Sequence, residues 1–141
     1  MNTDDRDLAD VIEQHLPYDG PHTREKVLDA AHGLSALVRY MCNATQPPAS
    51  TRTLGWAATV HQALGGVSGA VYGLDQLFRQ LADAMERQAA EPTLYDDRRD
   101  RPGSEAALQV AEQLRQMRTL ALQLGQQIND ARELSVHLGN D

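Results

Sequence analysis

The sequence predicts an all-α fold: an elongated antiparallel bundle of four to five helices with a long C-terminal helix. Three observations carry the prediction. From Ser104 to Gly139 apolar residues recur at steps of three and four, through Ala107, Val110, Leu114, Met117, Ala121, Leu124, Ile128, Ala131 and Leu138, with Ser135 the one polar member. Hydrophobic residues make up 41% of the chain and aromatic ones only 4%, so the core must be aliphatic, as helix packing allows. No stretch alternates apolar and polar residues as a half-buried strand does.

The elements follow in order. Leu8, Val11, Ile12 and Leu16 share one face of a short helix expected from about Asp4 to Leu16, with Thr3 as its cap. Pro17-Tyr18-Asp19-Gly20-Pro21 breaks the chain. Thr23 caps a second helix reaching about Thr45, whose inner face reads Val27, Ala30/Ala31, Leu34, Leu37/Val38, Met41 and Ala44. Gln46-Pro47-Pro48-Ala49 ends it. A third helical region opens near Ser50 or Thr51 and holds apolar register to about Ala90. Gly65-Gly66 lies inside it, and two glycines cost about 2 kcal/mol in a helix interior relative to alanine. A kink or break is therefore expected there, dividing the region into Thr51–Leu64 and Val67–Ala90. Residues 91–103, EPTLYDDRRDRPG, carry two prolines and dense mixed charge, the composition of a solvated loop. Ser104 is placed to cap the last helix and Gly139 to stop it, giving a rod of about 50 Å at 1.5 Å per residue.

Composition narrows the functions. The 141 residues are expected to form one domain, with 1–20 as its N-terminal helix and breaker and 91–103 as a charged loop. No run approaches the length of a membrane span. The acidic start MNTDDRDLAD lacks the basic, apolar order of a secretory signal, so a cytoplasmic setting is expected. Cys42 is the only cysteine, which excludes an intramolecular disulfide and a multi-cysteine zinc site, and it reads as a small buried hydrophobe. Net charge is −7. Residues 1–50 hold eight acids against four bases, residues 51–90 three of each, and residues 91–141 nine against six. No third of the chain is basic, so strong direct nucleic-acid binding is not expected.

Chemistry-bearing residues are scattered. His15, His22, His32, His61 and His137 stand apart, and the nearest metal-like pair, Asp29 with His32, reads as an ordinary surface pair. No phosphate loop with its lysine and no nucleophile elbow occurs. No catalytic, cofactor-binding or metal residue is assigned, no cofactor is expected, and the chain is read as a non-enzyme. Arg98, Arg99 and Arg101 interleave with Asp96, Asp97 and Asp100, which suits a self-neutralised loop better than a phosphate clamp. Trp56 reads as a core or interface anchor.

Gly65, Gly69 and Gly73 line one stripe of the third helical region, where another backbone could come close. Leu120 and Leu134 flank the last helix's apolar seam and Leu138 ends it. These six residues are the candidate interface. A short first helix and a broken third region cover too little of a 50 Å seam, and a twofold homodimer is the symmetric way to cover the rest. The expected function is a non-catalytic, coiled-coil-like protein–protein interaction module that binds itself, and a second protein as a further option. A small-ligand pocket at the Gly65-Gly66 break, near Trp56, His61 and Tyr72, is the weaker alternative.

The segment from Ala30 to Arg87 carries Leu37-Val38-Arg39-Tyr40, Ala58-Thr59-Val60, Leu64-Gly65 and Leu77-Phe78-Arg79-Gln80-Leu81-Ala82-Asp83. In these it resembles a group of short, largely uncharacterised actinobacterial helical proteins often encoded among plasmids and other mobile elements. The resemblance covers about two fifths of the chain. It implies a helical fold, a cytoplasmic setting and, as an alternative function, an accessory or regulatory role in transfer or replication of a mobile element. It carries over no catalytic residue.

Overall fold

A computed structural model describes residues 6–141, and all of its regular structure among them is helical. The five helices are α1 Leu8–His15, α2 Arg24–Ala44, α3 Ser50–Thr53, α4 Ala57–Ala89 and α5 Gly103–Ser135. Where the sequence suggests one domain, the contacts group into two compact units, the first ending at Thr53 and the second spanning Leu54–Asp141. No described helix is long and apolar enough to cross a membrane.

In the first unit, α1 begins later than expected. Asp7 caps it by accepting from the Ala9 backbone N–H, and Thr3 lies outside the described residues. Thr23 caps α2 as its position suggests, accepting from the Lys26 N–H at 3.2 Å. At the other end the Thr45 hydroxyl donates to the Met41 carbonyl at 2.8 Å, satisfying one of the carbonyls a helix end leaves free. None of the residues of α2 is buried. Leu34, Leu37, Val38 and Met41 are exposed, and so is the free thiol of Cys42, read from sequence as buried.

The second unit is a helical hairpin. α4 runs unbroken for 33 residues through Gly65-Gly66, so the expected break is absent there. The interruption falls instead at Leu54-Gly55-Trp56, between α3 and α4. Trp56 occupies the N-cap of α4 and is exposed, so it anchors no core. α5 starts one residue before Ser104, behind Pro102 rather than under a serine cap, and ends at Ser135, short of Gly139. Proline suits that place because it has no N–H to leave unpaired.

The hairpin's core is thin. Its buried apolar residues are Val71 and Ala82 from α4 with Ala107, Ala111, Ala121 and Ile128 from α5, and no large side chain is fully enclosed. Gly103, Gly125 and Ser68 are buried among them. The stripe of α5 that meets α4 thus runs through Ala107, Ala111, Leu114, Arg118, Ala121, Gly125, Ile128 and Arg132. Half of the expected seam, Ala107, Leu114, Ala121, Ile128 and Ser135, lies inward, but Val110, Met117, Leu124 and Ala131 are displaced to the helix flank and exposed, as is Leu138 beyond its end. Small residues took the centre because they let two backbones approach closely, whereas the larger side chains would hold the helices apart.

Candidate functional site

The two edges of the hairpin differ in chemistry. Along one edge every polar side-chain bond between α4 and α5 is found. His61 Nδ1 lies 2.8 Å from the Ser135 hydroxyl, and the Ser68 hydroxyl donates to Asn129 Oδ1 at 3.4 Å. Asn129 in turn donates to the Tyr72 hydroxyl at 2.6 Å. Arg118 meets Asp75 at 2.5 Å, and Arg115 meets Glu86 at 2.5 Å and Asp83 at 3.5 Å. The hydrogen bond to Glu86 is the main reason the Arg115 guanidinium is held protonated beyond its usual range, against a smaller opposing effect of desolvation. Such half-exposed pairs add little net stability, but their spacing fixes the antiparallel register.

To the opposite edge α4 and α5 contribute no charged residue, and Arg101 of the loop reaches only its end, in a cavity with Val110, Gln113 and Met117. On α4 it comprises Val60, Val67, Leu74, Leu77 and Leu81 with Ala63, Ala70 and Ala84 between them; on α5 it comprises Val110, Met117, Leu120, Leu124, Ala131 and Leu134, with Gln113 and Gln127. In an antiparallel pair the flanks at these equivalent heptad positions lie side by side. Most of the larger side chains are exposed, with Leu120 at 62% and Leu134 at 77%. The result is one apolar strip along the hairpin.

Of the six residues singled out from sequence, Leu120 and Leu134 stand on this strip, and Leu138 follows the end of α5, also exposed. The glycine stripe does not act as a unit. Gly65 faces the polar edge beneath Arg132, whose Nη2 would stand 3.4 Å from a Cβ there. Gly69 and Gly73 open onto empty space. Trp56 is exposed at the start of α4, His61 lines a shallow recess of about 340 Å³ with Asn129, Arg132, Glu133 and Val136, and Tyr72 packs on Gly125. Arg132 Nε is buried there without a hydrogen-bond partner.

A second apolar surface lies within the first unit. Leu8, Ile12 and Leu16 of α1 and its end face Leu34 and Leu37 of α2 across a groove of about 430 Å³. His15 pairs with Asp29 at 3.5 Å, both well exposed, so Asp29 turns to α1 rather than to His32. Among the described residues no three metal-capable side chains come together.

The α4–α5 loop is more organised than its composition suggests. Asp96 is its hub, accepting from the Arg98 backbone N–H at 3.0 Å and from the side chains of Arg98 at 3.1 Å and Arg101 at 3.2 Å. The Arg98 side-chain bond, then its backbone bond and Arg101, hold the Asp96 carboxyl far below the usual carboxylate range. Arg99 stacks its guanidinium 4.3 Å from the Tyr95 ring centre. Sequence alone offers three interleaved aspartates and no means of ranking them. Comparison of the chain with protein-family models, curated proteins and solved structures returned no match.

Proposed function

We propose that this chain is a non-catalytic helical protein–protein interaction module that associates with itself. The reading rests chiefly on the uncharged apolar strip of the α4–α5 hairpin. A two-helix unit whose buried core is mostly alanine gains little from its own interior, since burial stabilises by only about 25 cal/mol per Å² of apolar surface. Its largest aliphatic side chains stand in water instead. Soluble proteins seldom leave such a strip uncovered unless something binds it. A polar, catalytic alternative finds less support, because Asp75, Asp83 and Glu86 of α4 are paired with Arg118 and Arg115 of α5 along the other edge.

Sedimentation equilibrium at concentrations bracketing about 10 µM, the range of moderate dimers, tests the reading. Self-association predicts a mass near twice 15.5 kDa that falls on dilution. One chain mass at every concentration would overturn it.

A further inference from the structure

We infer that two copies of this chain join hairpin against hairpin through the uncharged edge, forming an intermolecular four-helix bundle whose polar edges and glycine-bearing backs remain in solvent. The inference rests on the self-association reading and adds the surface and the arrangement.

Area is the first argument. Each helix of the hairpin has 33 residues, about 50 Å, and two helices side by side are about 20 Å wide. One hairpin face is therefore about 1,000 Å², and a pair of copies would remove about 2,000 Å² from water, within the range of stable interfaces. Length is matched too: a second hairpin, with two helices of 33 residues, runs the strip end to end.

Charge is the second argument. Each copy carries −7, so two copies repel wherever their charged surfaces face each other. Along most of the strip close approach confronts no charge: α4 has no Asp, Glu, Lys or Arg from Ala57 to Leu74, and α5 none from Thr119 to Asn129. The third argument is shape. Ala63, Ala70 and Ala84 lie beside Val67, Leu74, Leu77 and Leu81, giving holes next to knobs, and a twofold axis presents that surface to itself. Pairing of this kind strengthens with added salt, because salt screens the mutual repulsion and breaks no interfacial ion pair.

The test compares the intact chain with Leu77→Glu and Leu120→Glu on the strip, and with Leu122→Glu on the opposite flank, by sedimentation equilibrium at low and high salt. The strip variants should raise the dimer Kd by about 100-fold or more, since each buries an unpaired charge, and Leu122→Glu should leave it within a few-fold. Should a glutamate lower helix content by circular dichroism, Leu77→Gln and Leu120→Gln take its place. Solvent paramagnetic attenuation of leucine methyls in the unaltered chain needs no variant: those of Leu77, Leu120 and Leu124 should be shielded at high concentration and attenuated on dilution. A dimer that survives both strip substitutions, weakens with salt, or leaves those methyls equally attenuated overturns the arrangement while self-association stands. A wild-type chain that is monomeric throughout overturns both.

Discussion

The Tyr72 hydroxyl accepts a hydrogen bond from the Asn129 side-chain amide at 2.6 Å, and the same ring closes over Gly125, where a Cβ would meet it at 3.3 Å. α4 and α5 are thus joined where one helix supplies an aromatic ring and the other has no side chain. A bulkier residue at 125 must displace the ring and break its bond to Asn129. Gly125→Leu should cost about 1–3 kcal/mol by overpacking, read from chemical denaturation. Gly69→Ala, in open space on the same hairpin, should be neutral or stabilising by up to about 1 kcal/mol from helix propensity alone. If Gly69→Ala instead weakens self-association, the back of α4 is in contact after all.

Gly103 is under a stricter constraint. A Cβ there would stand 2.7 Å from the Leu94 carbonyl oxygen and 2.8 Å from Tyr95 Cα, and backbone cannot swing aside as a side-chain tip can. Gly103→Ala should therefore lower stability by about 1–3 kcal/mol despite improving helix propensity. A thermal midpoint equal to wild type would show that the loop shifts without penalty.

Burial separates two residues four apart on α5. Ile128 is 8% exposed and Leu124 is 48% exposed. Ile128→Ala should cost about 2–5 kcal/mol at any protein concentration, as truncation of a packed side chain does. Leu124→Ala should cost little when the chain is dilute and more when it is concentrated, because in the proposed dimer its cover comes from a second copy. Denaturation curves at two concentrations check both.

Asp96 makes the loop sensitive to acid. Its folded-state acidity is shifted below the ordinary value of 3.8, so the carboxylate binds its proton less readily when folded. A depressed value contributes stability that is fully present above the unfolded pKa and is lost as pH falls through the folded one. Asp96→Asn should thus lower the melting temperature at pH 7, with the gap from wild type narrowing as pH falls below about 4. A gap that stays constant down to pH 2 would assign the loss to geometry rather than charge. Asp97→Ala should be nearly silent, since Arg98 and Arg101 bind the carboxylate of Asp96, not its neighbour.

Much of the helical order was legible in the sequence, and the departures have specific causes. The Thr23 cap and the end of α2 beside Thr45 follow from local chemistry that acts over three or four residues. Gly65-Gly66 misled because propensity is a local cost, and α4 offsets it through packing along 33 residues that the pair alone does not reveal. The register of α5 misled by one position in each heptad. Hydrophobicity places Val110, Met117 and Leu124 inside, yet the helix partner favours Ala111, Arg118 and Gly125, because closeness of approach decided the contact. Leu120 and Leu134 were recognised as seam neighbours. That they share an edge with Leu77 and Leu81 requires the antiparallel pairing, which no periodicity within a single helix contains.

Cys42 stands exposed on α2 as the chain's one thiol. Each molecule can therefore accept a single fluorophore or spin label by simple alkylation, with no engineered site, and a labelled population is chemically uniform. In air the same sulfur can tie two molecules together through a disulfide that owes nothing to the apolar strip. Weighing experiments on this protein need a reductant or Cys42→Ser, so that a covalent pair is not counted as an assembled one.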